Sequence, residues 1–156
     1  MILRYEPRFQ QIALQLGRAM HQESRYKNYD YSDKKILQLL QNPNVFCACS
    51  MVNDTVVGFF IGIVQPLWFS EQKIGFDLAL YILPEHRGGT YAIRLIKAFE
   101  AFCIEQGCVE INLSSSADIS TELAQRLYAK LNYQPCGFIS RKETSNVRTV
   151  CHEYGC

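Results

Sequence analysis

The chain has 156 residues, enough for one domain with a real hydrophobic core and short for two. Hydrophobic residues make up 48% and the formal net charge is +1, so the bulk field favours neither nucleic acid nor an anionic membrane, and any anion site must be local. No apolar run reaches the roughly 18 residues of a membrane span, so no membrane partner is expected. The opening Met1-Ile2-Leu3-Arg4-Tyr5-Glu6-Pro7 is too short and too polar for an export signal and reads as a first strand. The cysteines number seven, an odd count, and with no export signal they predict free thiols in a reducing cytoplasm.

In chain order, Pro7 opens a helix over about Arg8–His21, because Phe9, Ile12, Ala13, Leu16 and Met20 recur at helical spacing. A tyrosine-rich polar link follows, and a short helix begins at the N-cap Ser32 and stops before Asn42-Pro43. Strands are expected at Val45–Val52 and Thr55–Val64, joined by a tight Asn53-Asp54 turn, with Cys47 and Cys49 on one core face. Gln65–Gln72 is a loop carrying Trp68 and Phe69. Lys73–Leu83 is a strand in strict alternation, with Ile74, Phe76, Leu78, Leu80 and Ile82 on one face and Gly75, Asp77, Ala79, Tyr81 and Leu83 on the other. A helix from about Gly89–Tyr91 to Gly107 buries Ala92, Leu95, Ile96, Phe99, Phe102 and Cys103. Val109–Leu113 is a strand, Leu123, Leu127 and Leu131 line a further helix capped by Asn132, and the tail from Tyr133 to about Tyr154 supplies one or two more strands. This order predicts a single α/β domain over residues 1–156, a mixed sheet with helices on its faces.

The segment that carries chemistry is Asp77 to Ala92, where a strand runs through a glycine-bearing turn into a helix. Glycine lets backbone approach a ligand, and the first N–H groups of a helix lack partners and carry partial positive charge, so such a turn binds pyrophosphate. The competing reading is a tight turn with glycine as punctuation. Neither Gly-x-x-x-x-Gly-Lys-Ser/Thr nor an early Gly-x-Gly-x-x-Gly is present, which sets aside two other phosphate motifs. One Arg-Gly-Gly inside an ordered junction argues against an RNA-binding tract. Cys151-His152 with Cys156 lacks the paired ligand sets of a zinc site, so no metal is expected.

Pro84-Glu85-His86-Arg87-Gly88-Gly89-Thr90-Tyr91-Ala92 resembles the pyrophosphate motif of the GNAT superfamily, Arg/Gln-x-x-Gly-x-Gly/Ala, with Thr90 in place of the central glycine. Leu127-Tyr128-Ala129-Lys130-Leu131-Asn132-Tyr133 resembles the family's Leu-Tyr-x-x-Leu-Gly-Phe/Tyr. His21-Gln22-Glu23-Ser24-Arg25-Tyr26, Trp68-Phe69 and Pro84–Gly89 are similar to a subgroup common in phages and prophages. The resemblance implies a GNAT fold, a mixed, mostly antiparallel sheet of six to seven strands flanked by four helices. It implies an N-acetyltransferase in which an amine, small-molecule or peptide, attacks the thioester of acetyl-CoA directly. Backbone amides of Arg87, Gly88, Gly89, Thr90, Tyr91 and Ala92 would hold the pyrophosphate, and the main chain at Leu80, Tyr81 and Ile82 would pair with the pantetheine arm. An N–H there, that of Ile82 first, would meet the developing oxyanion. Tyr128 would protonate the leaving thiolate, against a plain aromatic on a leucine stripe. Asp77 and Glu23 are the candidate bases, or else solvated carboxylates. Ser24, Tyr26, Trp68 and Phe69 are candidate acceptor contacts, with Trp68 and Phe69 equally readable as packing or dimer residues. Members of the family are often dimers, which leaves a homodimer open. A CoA-binding sensor or assembly module on the same fold, without turnover, is the alternative reading.

Overall fold

The computed structural model describes residues 1–137 and 139–142. β1 (Ile2–Arg4) leads to a 3-10 turn at Pro7–Phe9 and then α1 (Gln10–Glu23), so the first helix begins and ends slightly later than its periodicity suggested. Pro7 stands in the first turn, where its missing N–H has no helical partner to lose. α2 (Asp33–Leu40) is capped by Ser32, whose hydroxyl accepts the Lys35 N–H at 3.4 Å. β2 (Val45–Val52) and β3 (Thr55–Pro66) form the expected hairpin. Asn53 and Asp54 turn it with φ of 45° and 62°, a left-handed pair that these short polar side chains tolerate.

β4 (Lys73–Ile82), α3 (Tyr91–Glu105), β5 (Cys108–Asn112) and α4 (Thr121–Lys130) complete the described elements. The strands lie in the order β1-β2-β3-β4-β5, antiparallel except for the parallel β4–β5 pair. Among the described residues the sheet therefore has five strands, not six or seven. Tyr133–Gly137 and residues 139–142 carry no strand, and the rest of the expected tail strands, with Cys151, His152 and Cys156, lie outside the described residues. Asn132 takes the left-handed position after α4 at φ 65°, as its short amide side chain allows.

The core lies on both sheet faces. Leu95, Ile96, Phe99, Phe102 and Cys103 of α3 pack on Phe46, Phe60 and Val64, which is the stripe read from the sequence. Leu16 of α1 covers Cys47, Cys49, Phe59, Ile61 and Tyr81 on the other face. α3 sits close because Gly62 and Gly75 lie beneath it: a Cβ at Gly62 would overlap the Phe99 ring, and one at Gly75 would overlap Cys103 Sγ. The strict alternation expected along β4 breaks at Leu78. Ile61 pairs with Ala79 but Gly62 pairs with Asp77, so Leu78 is an extra, bulged residue. One inserted residue reverses the parity, and Gly75 faces α3 on one side of the bulge while Leu80 and Ile82 pack there on the other.

Phe99 is fully buried, in contact with Phe46 and Phe60 at ring separations of 5.6 and 4.8 Å. Truncation should leave a cavity the rigid sheet cannot close. Phe99→Ala is expected to lower unfolding stability by about 3–5 kcal/mol, read as a fall in the urea midpoint.

Candidate active site

β4 has β5 as a neighbour only from Lys73 to Phe76. Beyond Phe76 the outer edge of β4 has no strand neighbour among the described residues, and the chain after β5 is held by side chains instead of a ladder. Asp77 Oδ1 accepts the Ser114 N–H at 2.7 Å, and the Tyr128 hydroxyl donates to the Ser114 carbonyl at 2.8 Å. Both backbone groups of Ser114 are thus satisfied without β4's main chain. A cleft of about 380 Å³ opens between the two strands. Its walls are Asp77–Ile82, the turn at His86–Gly89, Ala92 and Ile93 of α3, Ser114–Ala117, and Leu127 and Tyr128 of α4.

The turn begins with a 3-10 segment, Pro84–His86. His86 N–H donates to Leu83 O and Arg87 N–H to Pro84 O, so the Arg87 amide is already taken and is not one of the free donors expected there. Gly88 follows at φ 82°, a left-handed conformation that suits glycine. From Gly88 to Ile93 no backbone N–H finds an acceptor among the described residues, and the helical ladder resumes with Arg94 N–H to Thr90 O at 3.0 Å. Thr90 is the N-cap of α3, and its hydroxyl makes no capping bond. These consecutive donors, with the positive end of the helix dipole behind them, form an anion cradle. Gly88, Gly89 and Ala92 line the cleft; Thr90 and Tyr91 sit at its rim, outside the lining.

The edge of β4 adds directed donors. Leu83 N–H bonds to Val57 O on β3, and N–H directions alternate along a strand, so the N–H groups of Leu80 and Ile82 point away from β3 into the cleft. The Ile82 carbonyl, on the same side, accepts Arg87 Nε at 2.9 Å.

The Arg87 guanidinium turns away from the free amides. It forms a two-point ion pair with Glu23, Nη1 to Oε1 at 2.6 Å and Nη2 to Oε2 at 2.7 Å, and Tyr81 Oη donates to Glu23 Oε2 at 3.0 Å. Glu23 is the last residue of α1, not a loop residue as expected. The Arg87 hydrogen bonds hold its carboxyl below the ordinary carboxylate range, which makes it a weak proton acceptor. Asp77 moves the other way: burial raises its pKa, partly opposed by the bonds from Ser114. It falls on the Gly75 side of the bulge and does not share a face with Ala79 and Tyr81 as strict alternation implied. Tyr128 is raised by burial and by the Asp77 charge, so its phenol stays protonated at neutral pH.

Ser24 and Tyr26 line a second cavity, of about 170 Å³, on the α1–α2 side of β4. Their segment docks on the chain after β5, with Arg25 N–H on Ala117 O at 3.1 Å. Trp68 and Phe69 are in neither cavity. The turn closed by Leu67 N–H to Gln72 O throws both rings into solvent, 93% and 67% exposed, at the start of β4, whereas the cleft begins at Asp77. Neither ring packs into the core, and neither borders either cavity. Sequence reasoning missed Ser114–Ser116 and the cationic pair Arg126 and Lys130, all of which line the cleft. The serine triplet just past a strand end and the i, i+4 cations on one helix were the available signals. No cluster of three or more His, Cys, Asp or Glu side chains suited to a metal occurs among the described residues.

A parted strand pair, an amide cradle at a helix start and a phenol across the gap define an acyl-CoA-dependent transferase fold. The sequence profile of the acetyltransferase (GNAT) family matches residues 10–133, and the chain belongs to that family of acetyl-CoA-dependent N-acetyltransferases. No curated protein matches the chain. Solved structures agree on the fold. A ribosomal-protein-alanine N-acetyltransferase from Brucella melitensis biovar Abortus 2308 superposes with a TM-score of 0.71 at 19% identity, over 91% of this chain and 99% of that one. An aminoglycoside N-acetyltransferase in complex with CoA gives 0.71 at 16% identity, over 92% and 99%. A Trypanosoma brucei acetyltransferase gives 0.70 at 17%, over 92% and 98%.

Because the folded pKa of Glu23 is depressed, its contribution to stability is present above the ordinary carboxylate pKa and is lost as pH falls through the folded value. The melting-temperature gap between wild type and Glu23→Gln should be full near neutrality and shrink as pH falls below the ordinary carboxylate value and through the depressed folded pKa of Glu23. A gap unchanged across that range would mean the ion pair contributes nothing through charge.

Proposed function

We propose that the chain acetylates a primary amine, small-molecule or peptide, in the cleft between β4 and β5. The observation that carries this reading is the run of unpartnered amides from Gly88 to Ile93 facing a cleft whose other wall is a bare strand edge. Six successive donors fit a diphosphate, and the Leu80 and Ile82 groups fit an amide-bearing arm laid along the strand. Acetyl-CoA supplies a thioester whose carbonyl carbon takes a bond from the amine nitrogen as its bond to sulfur breaks, giving an amide, CoA thiol and one released proton.

This chain's residues then divide the work. Gly88, Gly89, Thr90, Tyr91 and Ala92 hold phosphate through their amides, and Thr90 adds a hydroxyl that no cap bond occupies. Arg126 and Lys130 offer positive charge from α4. The Ile82 N–H faces the carbonyl oxygen as it gains negative charge. Tyr128, kept protonated by burial, gives its proton to the departing sulfur. Asp77 is the carboxylate whose basicity burial raises, and it accepts the ammonium proton directly or through water. Glu23 acts as a positioning residue that ties the end of α1 to Arg87 and Tyr81. Ser24 and Tyr26 border the acceptor side. Kinship with phage and prophage members rests on the His21–Tyr26 and Pro84–Gly89 segments. A cytoplasmic setting is supported by the five described cysteines, all free thiols. No helix among the described residues is long and apolar enough to cross a membrane.

Two variants test the assignment. Tyr128→Phe is expected to lower kcat by about a hundredfold or more while the CoA dissociation constant stays within about twofold. A large loss of CoA affinity instead would make Tyr128 a packing residue. Gly88→Val forces a branched side chain into a left-handed conformation beside the cradle, and should weaken CoA binding at least about tenfold by calorimetry. Unchanged affinity would place the phosphates elsewhere.

A further inference from the structure

The second cavity, beneath α1 and α2, has a lining unlike the cleft. Ala13 and Met20 of α1, Ile36 and Leu40 of α2, and Phe59 and Ile61 of β3 make it apolar, and no Asp, Glu, Lys or Arg borders it. The Cys47 thiol at its floor is pushed up to about 12 by burial and stays neutral. Polar groups of His21, Ser24, Tyr26 and Tyr31 interrupt this surface, and the Ser24 hydroxyl is already bonded to the His21 carbonyl. His21 Nε2 and the Tyr31 hydroxyl are buried with no hydrogen-bond partner among the described residues, and both residues line the cavity, their rings 5.1 Å apart. A buried polar atom without a partner is costly, and a pair of them at one end of an apolar space calls for a ligand atom. Gly17 keeps that end open, since a Cβ there would overlap the Tyr31 hydroxyl. Met20 and Ala79 line both this cavity and the cleft, so the two spaces meet beside β4.

We infer that this cavity selects the acceptor, admitting an amine that carries one apolar group with a neutral hydrogen-bonding tip, held by His21 and Tyr31. The inference rests on the acetyl-transfer reading of the adjoining cleft. An apolar cavity of about 150 Å³ admits a single benzene ring, and about 170 Å³ is available here, so one ring or a branched aliphatic chain fits. No acidic side chain lines the cavity to pair with a second ammonium, and the Asp33 charge that reaches Tyr31 is already paired with Arg18. The favoured class is an aryl-alkyl amine or an amine whose neighbouring side chain is of tyrosine type, and polycationic amino sugars are disfavoured.

The test uses the full chain saturated with CoA. Tyramine, phenethylamine, ethanolamine and kanamycin are titrated by calorimetry, and acetyl transfer to the same amines is measured separately. Tyramine should bind most tightly, with phenethylamine about five- to tenfold weaker for want of the polar tip. Ethanolamine and kanamycin should be at least about tenfold weaker again for want of a buried ring. Tyr31→Phe should bring tyramine down to the level of phenethylamine. Ala13→Phe should fill the cavity and abolish aryl-amine binding, with an unchanged heat of CoA binding showing that the fold is intact. The inference is overturned if no aryl amine binds, if ethanolamine or kanamycin binds as tightly as tyramine, or if the preference survives both substitutions. Aryl-amine binding without transfer from acetyl-CoA supports the cavity assignment and sinks the acetyl-transfer reading instead.

Discussion

β4 has hydrogen-bonded neighbours on both sides only as far as Phe76, and the site is built on what happens next. A parallel pair that stays zipped leaves no room for an extended ligand. Here the Leu78 bulge bends β4, and Ser114 is held by Asp77 and Tyr128 in place of β4's main chain. The two side chains keep the strands apart while leaving no backbone group of Ser114 unsatisfied. They are also the two groups proposed to move protons, so the residues that hold the cleft open are the candidates for its chemistry.

The amide cradle depends on α3 lying close to the sheet. Gly62 and Gly75 let Phe99 and Cys103 sink between β3 and β4, and that contact fixes where the first turn of α3 points. On the other face, α1 reaches the same turn through Glu23, Arg87 and the Ile82 carbonyl. The pair is partly exposed, with side-chain exposures of 33% and 22%, so solvent weakens its energetic worth. Its consequence is geometric. α1 lines the second cavity with Ala13, Gly17 and Met20 and meets Arg87 of the glycine turn through Glu23, so one helix touches both spaces.

Much of this was legible in the chain. Helical spacing in α3, the Asn53-Asp54 hairpin, the Ser32 cap and the Gly88 turn are local features, each set by residues a few positions apart. The glycine turn running into a helix and the Leu-Tyr segment of α4 pointed to acyl transfer for the same reason. Asp77 and Glu23 were found as residues but misjudged as environments. Strict alternation put Asp77 on the wrong side of a bulge, and nothing near Glu23 in sequence indicates a partner as distant as Arg87. Trp68 and Phe69 were read as acceptor contacts or as packing or dimer residues, and a tight turn at the far end of β4 leaves them in solvent.

Residue order alone thus determined the four helices, most of the strands and the glycine turn that opens α3, because helix periodicity, turn chemistry and free helix-start amides are properties of neighbouring residues. Tertiary structure decided which side chains meet in the cleft, that Arg87 turns to a carboxylate, and that His21 and Tyr31 share an apolar cavity. Those outcomes follow from strand register, one inserted residue and the approach of helices from opposite faces of the sheet, quantities that depend on contacts far apart along the chain.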